Sequence, residues 1–242
     1  MLISTKTIER LARFDTPTIC NAIELFEVRP REQGYMNAAI ACRYPELLPM
    51  VGFAAPAAFR ASGLPASGEG YGSLSEQIKQ FESLPGPAVV VIQDLDNPSI
   101  GATFGEMMCR TYRSFGSVGL IASGAARDLE QIHPLRFPVY SGSILCSHGN
   151  HHLLNIGAPV HVGGLYIRQG DLLHGDRNGV TTIPLDIADE VADVAEEIVE
   201  AEGLLIEFNE QAQGKHVNDL VVVFKEVGLK FEKIRVRVSR KQ

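Results

Sequence analysis

Two short stretches carry residue types that could act chemically on a small anion. The first is GATFGEMM, Gly101–Met108, where two glycines sit between a buried apolar run and a helical one. Such a strand–helix junction presents backbone N–H groups that suit a carboxylate or phosphate. Glycine lets a ligand come close to the main chain. The structural alternative is a plain junction whose Glu106 is a first-turn acid favoured by the helix dipole. The spacing is neither that of a P-loop nor that of a dinucleotide fingerprint.

The second stretch is SGAARDLEQ, in which Arg127 and Asp128 follow another buried run and a glycine. A carboxylate there is a hard oxygen ligand for Mg2+ or Mn2+. The adjacent guanidinium suits a substrate carboxylate or a developing enolate. Taken alone, an Arg-Asp pair is more often a helix-capping acid beside a solvent-facing base. The two stretches gain force together, because ligands of open α/β sheets bind beyond the carboxyl ends of strands. An anion cradle beside an Arg-plus-carboxylate pair would fit a small keto acid.

A third cluster is SHGNHHLLNIG, with His148, His151 and His152. Imidazoles can hold zinc, copper or nickel, or contact substrate. A polar loop is the commoner role, and no cysteine or acid stands at zinc-ligand spacing. His174, Asp176 and Asp171 border turns, and Asp176 and Asp171 read as turn-shaping acids. No serine has a nucleophile elbow. Cys109, inside a helical pattern, reads as core, and core packing is also the commoner role for Met107 and Met108.

The elements that must position these residues alternate between helix and strand. A first helix is expected near Ser4–Ala12, and a second in DTPTICNAIELF, with Thr16 as N-cap and Pro17 in the first turn. VGFAAPAAFRA reads as a strand with Pro56 at an edge or bulge. Ser73–Ser83 reads as a helix, and PGPAVVVIQDLD as a buried strand ending near Asp94. Then come a loop and helix over Asn97–Phe115, the strand VGLIASG, the short helix RDLEQIHPL and the strand FPVYSGSI. This alternation indicates an α/β core. Pro159–Pro184 reads as short strands with a turn at Asn178-Gly179. Asp186 is expected to cap a long helix through about Gln213; HVNDLVVVFKEVGL suits a helix by the spacing of Val217, Leu220, Val221 and Phe224, though its VVVF also suits a strand, and the helix is favoured.

Bulk properties narrow the classes. The chain has 242 residues, 45% hydrophobic and 21% charged, which suits one large domain or a domain with a modest extra lobe. The net charge of −7 argues against a nucleic-acid-coating surface. The basic stretch Lys230–Lys241 reads as a solvated terminus. No apolar run has membrane length, and the first residues do not read as a secretory signal, so the expected location is cytoplasmic. The four cysteines, Cys20, Cys42, Cys109 and Cys146, are widely spaced and read as buried thiols of a reducing compartment.

GATFGEMM, the G-x-x-R-D turn after a valine-rich strand, FPVYSGS and PVHVGGLYIRQGDLLHGDRNGVTTIP together resemble the RraA-like family. That family includes 4-hydroxy-4-methyl-2-oxoglutarate aldolases, oxaloacetate decarboxylases and the regulator of ribonuclease activity A. The resemblance covers about Asp15–Glu200 and is strongest over Gly101–Pro184. It implies the swivelling α/β/α domain, a β-sheet core flanked by helices. It implies one domain over residues 1–242, with a loop-rich insertion near 27–87 and a helical C-terminal extension near 186–242.

By that resemblance, Asp128 binds the divalent metal and Arg127 contacts substrate and steadies the enolate. The backbone of Gly105, Glu106, Met107 and Met108 cradles the substrate carboxylate, and Glu106 holds metal-bound water. A further acid from a neighbouring subunit's C-terminal helix is also implied, with Glu200 or Glu202 as candidates. The implied activity is that of a metal-dependent lyase releasing pyruvate from a small 2-oxo acid, in a homotrimer or dimer of trimers. Two other readings compete: a regulatory binding protein without turnover, and a divergent hydrolase or isomerase using His148–His152. The family's D-G-x-x-R-D begins here with Ser123, which removes a carboxylate and leaves the substrate open.

Overall fold

The computed structural model describes residues 3–63, 71–211 and 214–241. At its centre four strands run parallel in the order β7-β6-β4-β2: β2 (Met50–Arg60), β4 (Ala88–Asp94), β6 (Ser117–Ala126) and β7 (Val139–Ile144). The short β1 (Ala41–Cys42) closes the β7 edge antiparallel. On the other side β2 pairs antiparallel with β11 (Leu172–Asp176), which forms a hairpin with β12 (Gly179–Ile183); its two loop residues are Arg177 and Asn178, one position earlier than the expected Asn178-Gly179. Two further pieces attach to the ends of the central strands. β5 (Ala102–Phe104) runs parallel to the end of β6, and β8 (His152–Leu154) pairs with the end of β2 and with β3 (Tyr71–Gly72).

Residues of β4 and β6 are apolar on both sides, as a doubly covered strand must be. Val90, Ile92, Leu120 and Ala122 pack with Cys109 and Tyr112 of α4 (Glu106–Ser114) and Ile132 of α5 (Leu129–Ile132). Val89, Val91 and Ile121 instead meet Val160, Val162 and Ile167 of the β9–β10 hairpin (Val160–Val162 and Leu165–Ile167). A third apolar cluster joins β2, β11 and β12 to α1 (Thr5–Leu11), α2 (Thr16–Phe26), α6 (Ala188–Glu210) and α7 (Val217–Val238). The result is a mixed sheet flanked by helices, as expected.

Local chemistry revises several expectations. Asp15, not Thr16, caps α2, its carboxylate accepting the Thr18 N–H at 2.8 Å. Thr16 is the first helical residue, and its N–H donates to Asp176 at 3.0 Å. Asp176 also accepts the Asn178 N–H at 2.7 Å, so it shapes the turn and ties it to α2. Pro56 lies in a central strand rather than at an edge. It sits where β2 passes from its pairing with β11 to its pairing with β8, and there it needs no ladder donor. Residues 27–87 thus contain β2, a strand in the middle of the sheet. Asp186 does not cap α6; Ile187 holds that position without a side-chain bond. Ser73 forms a capping box with Glu76 at the start of α3 (Leu74–Lys79).

The basic tail is not a solvated terminus. Residues from Lys230 to Val238 belong to α7, which buries Ile234 and Val238 against α2 and α6. Arg235 reaches Glu27 at 3.3 Å, Arg240 reaches Glu190 at 2.6 Å, and Arg237 pairs with Glu197. No helix of the described residues is long and apolar enough to cross a membrane.

Candidate functional site

The parallel strands place the two chemistry-bearing stretches side by side. β5 lies along the end of β6, with Ala102 opposite Ala125 and Phe104 opposite Ala126. The Arg127 N–H donates to the Phe104 carbonyl at 3.1 Å. The chain after β5 therefore enters α4 beside the residues that follow β6. A cleft of about 460 Å³ opens there, lined by Phe104, Gly105, Met107, Met108, Arg127 and Asp128, with His148 and His151 joining from the segment after β7. That volume suits a small organic ligand.

Asp128 is held in the left-handed region at φ 58°, a conformation that aspartate tolerates better than most residues. It occupies the N-cap position of α5, yet its carboxylate makes no capping bond there. Instead Oδ2 accepts the Glu106 N–H at 3.1 Å, while Arg127 Nε stands 3.5 Å from the same oxygen. Oδ1 has no hydrogen-bond partner among the described residues. Gly105 is required for space: a Cβ there would lie 2.5 Å from Asp128 Oδ2 and 3.0 Å from Arg127 Cγ. The first intrahelical bond of α4 is Cys109 N–H to the Gly105 carbonyl, so the N–H groups of Met107 and Met108 have no acceptor within the helix.

The Glu106 side chain turns along α4 to pair with Arg110 Nε at 2.7 Å and does not line the cleft. What Glu106 gives the site in this structure is its backbone N–H. Met107 is 72% exposed at the cleft mouth, whereas Met108 packs partly into the core beneath it. Of the four cysteines expected to be buried only Cys109 is: Cys20 and Cys42 are half-buried and Cys146 is exposed, because it follows the end of β7 on the surface. Burial, and then the Asp128 charge, push the Cys109 thiol well up. His148 and His151 line the cleft, while His152 stands in β8, its Nε2 3.4 Å from the Gly63 carbonyl. His174 is buried at the α1–α2 junction, away from the cleft. Glu200 lines a separate groove between α6 and α7, and neither it nor Glu202 lines the cleft.

Sequence reasoning passed over Asp94, at the end of β4. Its N–H donates to Ser123 Oγ at 2.8 Å, and its Oδ1 accepts the Asp96 N–H at 2.9 Å. Its Oδ2 is buried against Gly124 with no hydrogen-bond partner among the described residues, and burial raises the carboxyl's pKa against a hydrogen bond from the Ser99 side chain. The hydroxyl at position 123 thus anchors the neighbouring carboxylate-bearing strand end. The signal available in the sequence was the same one that marked Asp128: an acid closing a buried parallel strand.

The donor set bears on a metal. Among the described residues no three His, Cys, Asp or Glu side chains gather as a metal cage. A single accessible carboxylate still fits Mg2+ or Mn2+, since Mg2+ commonly keeps several waters and takes one or two protein carboxylates plus oxygens of the substrate. Asp128 is the residue that would hold it.

Strand order, helix placement and this cleft define an α/β protein with a cleft beyond the carboxyl ends of parallel strands. The sequence pattern of the RraA-like family, described as Aldolase/RraA, matches residues 16–182, and the chain belongs to that family. It is 32% identical over 105 residues to a Halalkalibacterium halodurans protein named "Putative 4-hydroxy-4-methyl-2-oxoglutarate aldolase", covering 43% of this chain and 49% of that one. The chain thus spans about half the length of this relative. An uncharacterized Pseudomonas syringae protein superposes with TM-score 0.71 at 19% identity, covering 98% of this chain and 96% of its own. Streptomyces coelicolor RraAS2, an unusual member of the RNase ES inhibitor RraA family, superposes with TM-score 0.66 at 20% identity, over 84% of this chain and 98% of its own. Likeness at such identity establishes the fold.

Proposed function

We propose that this chain is a divalent-metal-dependent lyase that acts on a small 2-oxo acid and releases pyruvate through an enolate. The observation that carries this reading is the meeting of Arg127, the Asp128 carboxylate and the first turn of α4 in one cleft. Mg2+ or Mn2+ held by Asp128 would supply Lewis acidity at the keto oxygen. The unbonded N–H groups of Met107 and Met108 and the positive end of the α4 dipole receive the substrate carboxylate. Arg127 places a fixed positive charge where the enolate oxygen develops, in a cleft walled by Phe104, Leu74 and Leu153 that limits water. Aldol cleavage and decarboxylation both pass through this enolate, so one arrangement serves both.

The test is turnover of oxaloacetate and 4-hydroxy-4-methyl-2-oxoglutarate by chelator-treated protein, with and without Mg2+, reading pyruvate through a coupled reductase. Activity restored by metal and abolished in Asp128→Asn is expected. Silence on both compounds at any metal concentration would overturn the reading. The Glu106–Arg110 pair favours a second reading, because it keeps the implied water-holding acid out of the cleft. In that reading the chain is a regulatory partner of a ribonuclease, and tight binding to one without turnover would support it. The proposal includes a cytoplasmic location and a homotrimer or dimer of trimers, in which α7, with Val217, Val221, Val222 and Phe224 exposed, would meet other subunits.

A further inference from the structure

The histidine segment reaches the cleft by a fixed route. Leu145 N–H donates to the Ala126 carbonyl at 3.1 Å, Ala102 N–H to the Ser147 carbonyl at 2.7 Å, and Asn150 N–H to the Ala61 carbonyl at 3.0 Å. The segment crosses β5 so closely that a Cβ on Gly101 would lie 2.8 Å from the His148 carbonyl oxygen and 2.6 Å from Ala61 Cβ. The first glycine of GATFGEMM is therefore a crossing point for this segment.

The crossing delivers His151 to the cleft in a defined state. Its Nε2 lies 3.1 Å from the Thr103 carbonyl, and its ring packs on Phe59 with centroids 4.8 Å apart. A carbonyl only accepts, so Nε2 must carry the hydrogen, and in the neutral ring Nδ1 is then the basic nitrogen. Beyond its own backbone and the Thr103 carbonyl, the ring has no hydrogen-bond partner among the described residues, so no other residue occupies Nδ1. Burial, followed by the nearby His148 and His152, lowers the pKa of this ring against the opposing pull of the Thr103 carbonyl. The ring therefore stays neutral near pH 7.

We propose that His151 is the proton acceptor for the hydroxyl group of a 4-hydroxy-2-oxo acid bound in the cleft, which makes this site an aldolase as well as a decarboxylase. The inference rests on the lyase reading above. Nδ1 takes the proton of the C4 hydroxyl. The O–H electron pair becomes the second bond of the new C4 carbonyl, and the C3–C4 bond breaks. Its electron pair passes into the enolate of the departing 2-oxo acid. The proton on His151 then returns to C3, directly or after exchange with solvent, and the neutral ring is restored with no other reactant consumed. Decarboxylation of a 2-oxo acid that carries a second carboxylate on C3, as oxaloacetate does, has no hydroxyl proton to remove and makes no such demand. Arg127 and Asp128 thus serve the step both reactions share, and His151 serves the step only one of them has.

The distinguishing variant is His151→Gln, whose amide nitrogen can still donate to the Thr103 carbonyl but offers no basic nitrogen. Rates on 4-hydroxy-4-methyl-2-oxoglutarate and on oxaloacetate are measured with Mg2+ for wild type and variant, with the thermal midpoint as a fold control. The ratio of aldol cleavage to decarboxylation should fall about 100-fold or more in the variant, the usual contribution of a positioned general base. His151→Asn gives the same ratio test should Gln lower the midpoint. Equal loss on both compounds would reduce His151 to a support for β5, and no loss on either would remove it from the reaction; both results overturn the inference alone. Wild-type protein inactive on both compounds would overturn the lyase reading and this inference with it.

Discussion

The Asp128 carboxylate accepts the Glu106 N–H at 3.1 Å and so ties the end of β6 to the first turn of α4. One oxygen thereby holds two strand-end segments in register, and the other remains available to a cation. Asp128→Asn keeps an acceptor for Glu106 and a residue type that tolerates φ 58°, but removes the charge. It should fold with an unchanged thermal midpoint and lose Mn2+ binding, read by electron paramagnetic resonance. Asp128→Ala adds left-handed strain and frees a buried-side donor, and should destabilise by about 2 kcal/mol. Retained Mn2+ affinity in the Asn variant would remove Asp128 from the metal site.

Gly105 tests the same geometry from the opposite side. Its backbone is extended, so alanine is conformationally acceptable there. The added Cβ would nevertheless stand 2.5 Å from Asp128 Oδ2 and 3.0 Å from Arg127 Cγ. Both side chains must then swing out of the cleft. Gly105→Ala should lower kcat/KM by about 100-fold, the scale expected when reacting groups are misplaced by about an ångström, with a modest change in thermal midpoint. A fully active alanine variant would show that the two side chains need not occupy these positions.

How far the sequence disclosed this arrangement depends on the range of the interaction. The buried strands β4 and β6 announce themselves as runs of Val, Ile and Ala, and the rule that ligands lie beyond such strand ends then selects Arg127 and Asp128. That Asp128 would bond across to α4 and not to its own helix depends on its left-handed φ, which no local pattern encodes. Glu106 drew attention by its position, but an arginine four residues along competes for its carboxylate. The docking of α7 was hidden because its charges are evenly spread and only Ile234 and Val238 become buried, through contacts with helices far away in sequence. Pro56 suggested an edge, since the gap between β8 and β11 that accommodates it is a property of the assembled sheet.

Acid should loosen the junction of α1, α2 and β11 through His174. This ring is fully buried, with Nδ1 3.0 Å from Thr16 Oγ1 and Nε2 3.2 Å from the Leu11 carbonyl. Burial lowers its pKa despite the nearby Asp176 and the Leu11 carbonyl. In the unfolded chain the same ring titrates near 6.5. Between the lowered folded value and about 6.5 the unfolded state therefore binds more protons, so stability rises with pH through that window and levels off above it. Burial lowers the His151 pKa as well, which adds in the same direction. Urea midpoints should fall from pH 7 to pH 5.5, at a slope no greater than about 1.4 kcal/mol per pH unit for each histidine. His174→Asn should flatten the curve. A wild-type midpoint constant across that range would contradict the assignment.

The attachment of α7 can be divided into apolar and ionic parts. Ile234 and Val238 are 5% and 4% exposed against the cluster that includes Phe26 and Ile198. Arg240 and Glu190 pair at 2.6 Å, but both side chains are close to half exposed. Solvent screening and side-chain entropy leave such a pair worth about 0–1 kcal/mol. Truncating a buried isoleucine removes its contacts and opens a cavity, at a cost of about 2–5 kcal/mol. Ile234→Ala should therefore lower the unfolding free energy by at least about 2 kcal/mol, and Arg240→Ala by less than about 1 kcal/mol. High salt should narrow the Arg240 effect and leave the Ile234 effect in place. Equal losses in the two variants, or an Ile234 effect that vanishes in salt, would mean that charge and not apolar burial holds this helix to α2 and α6.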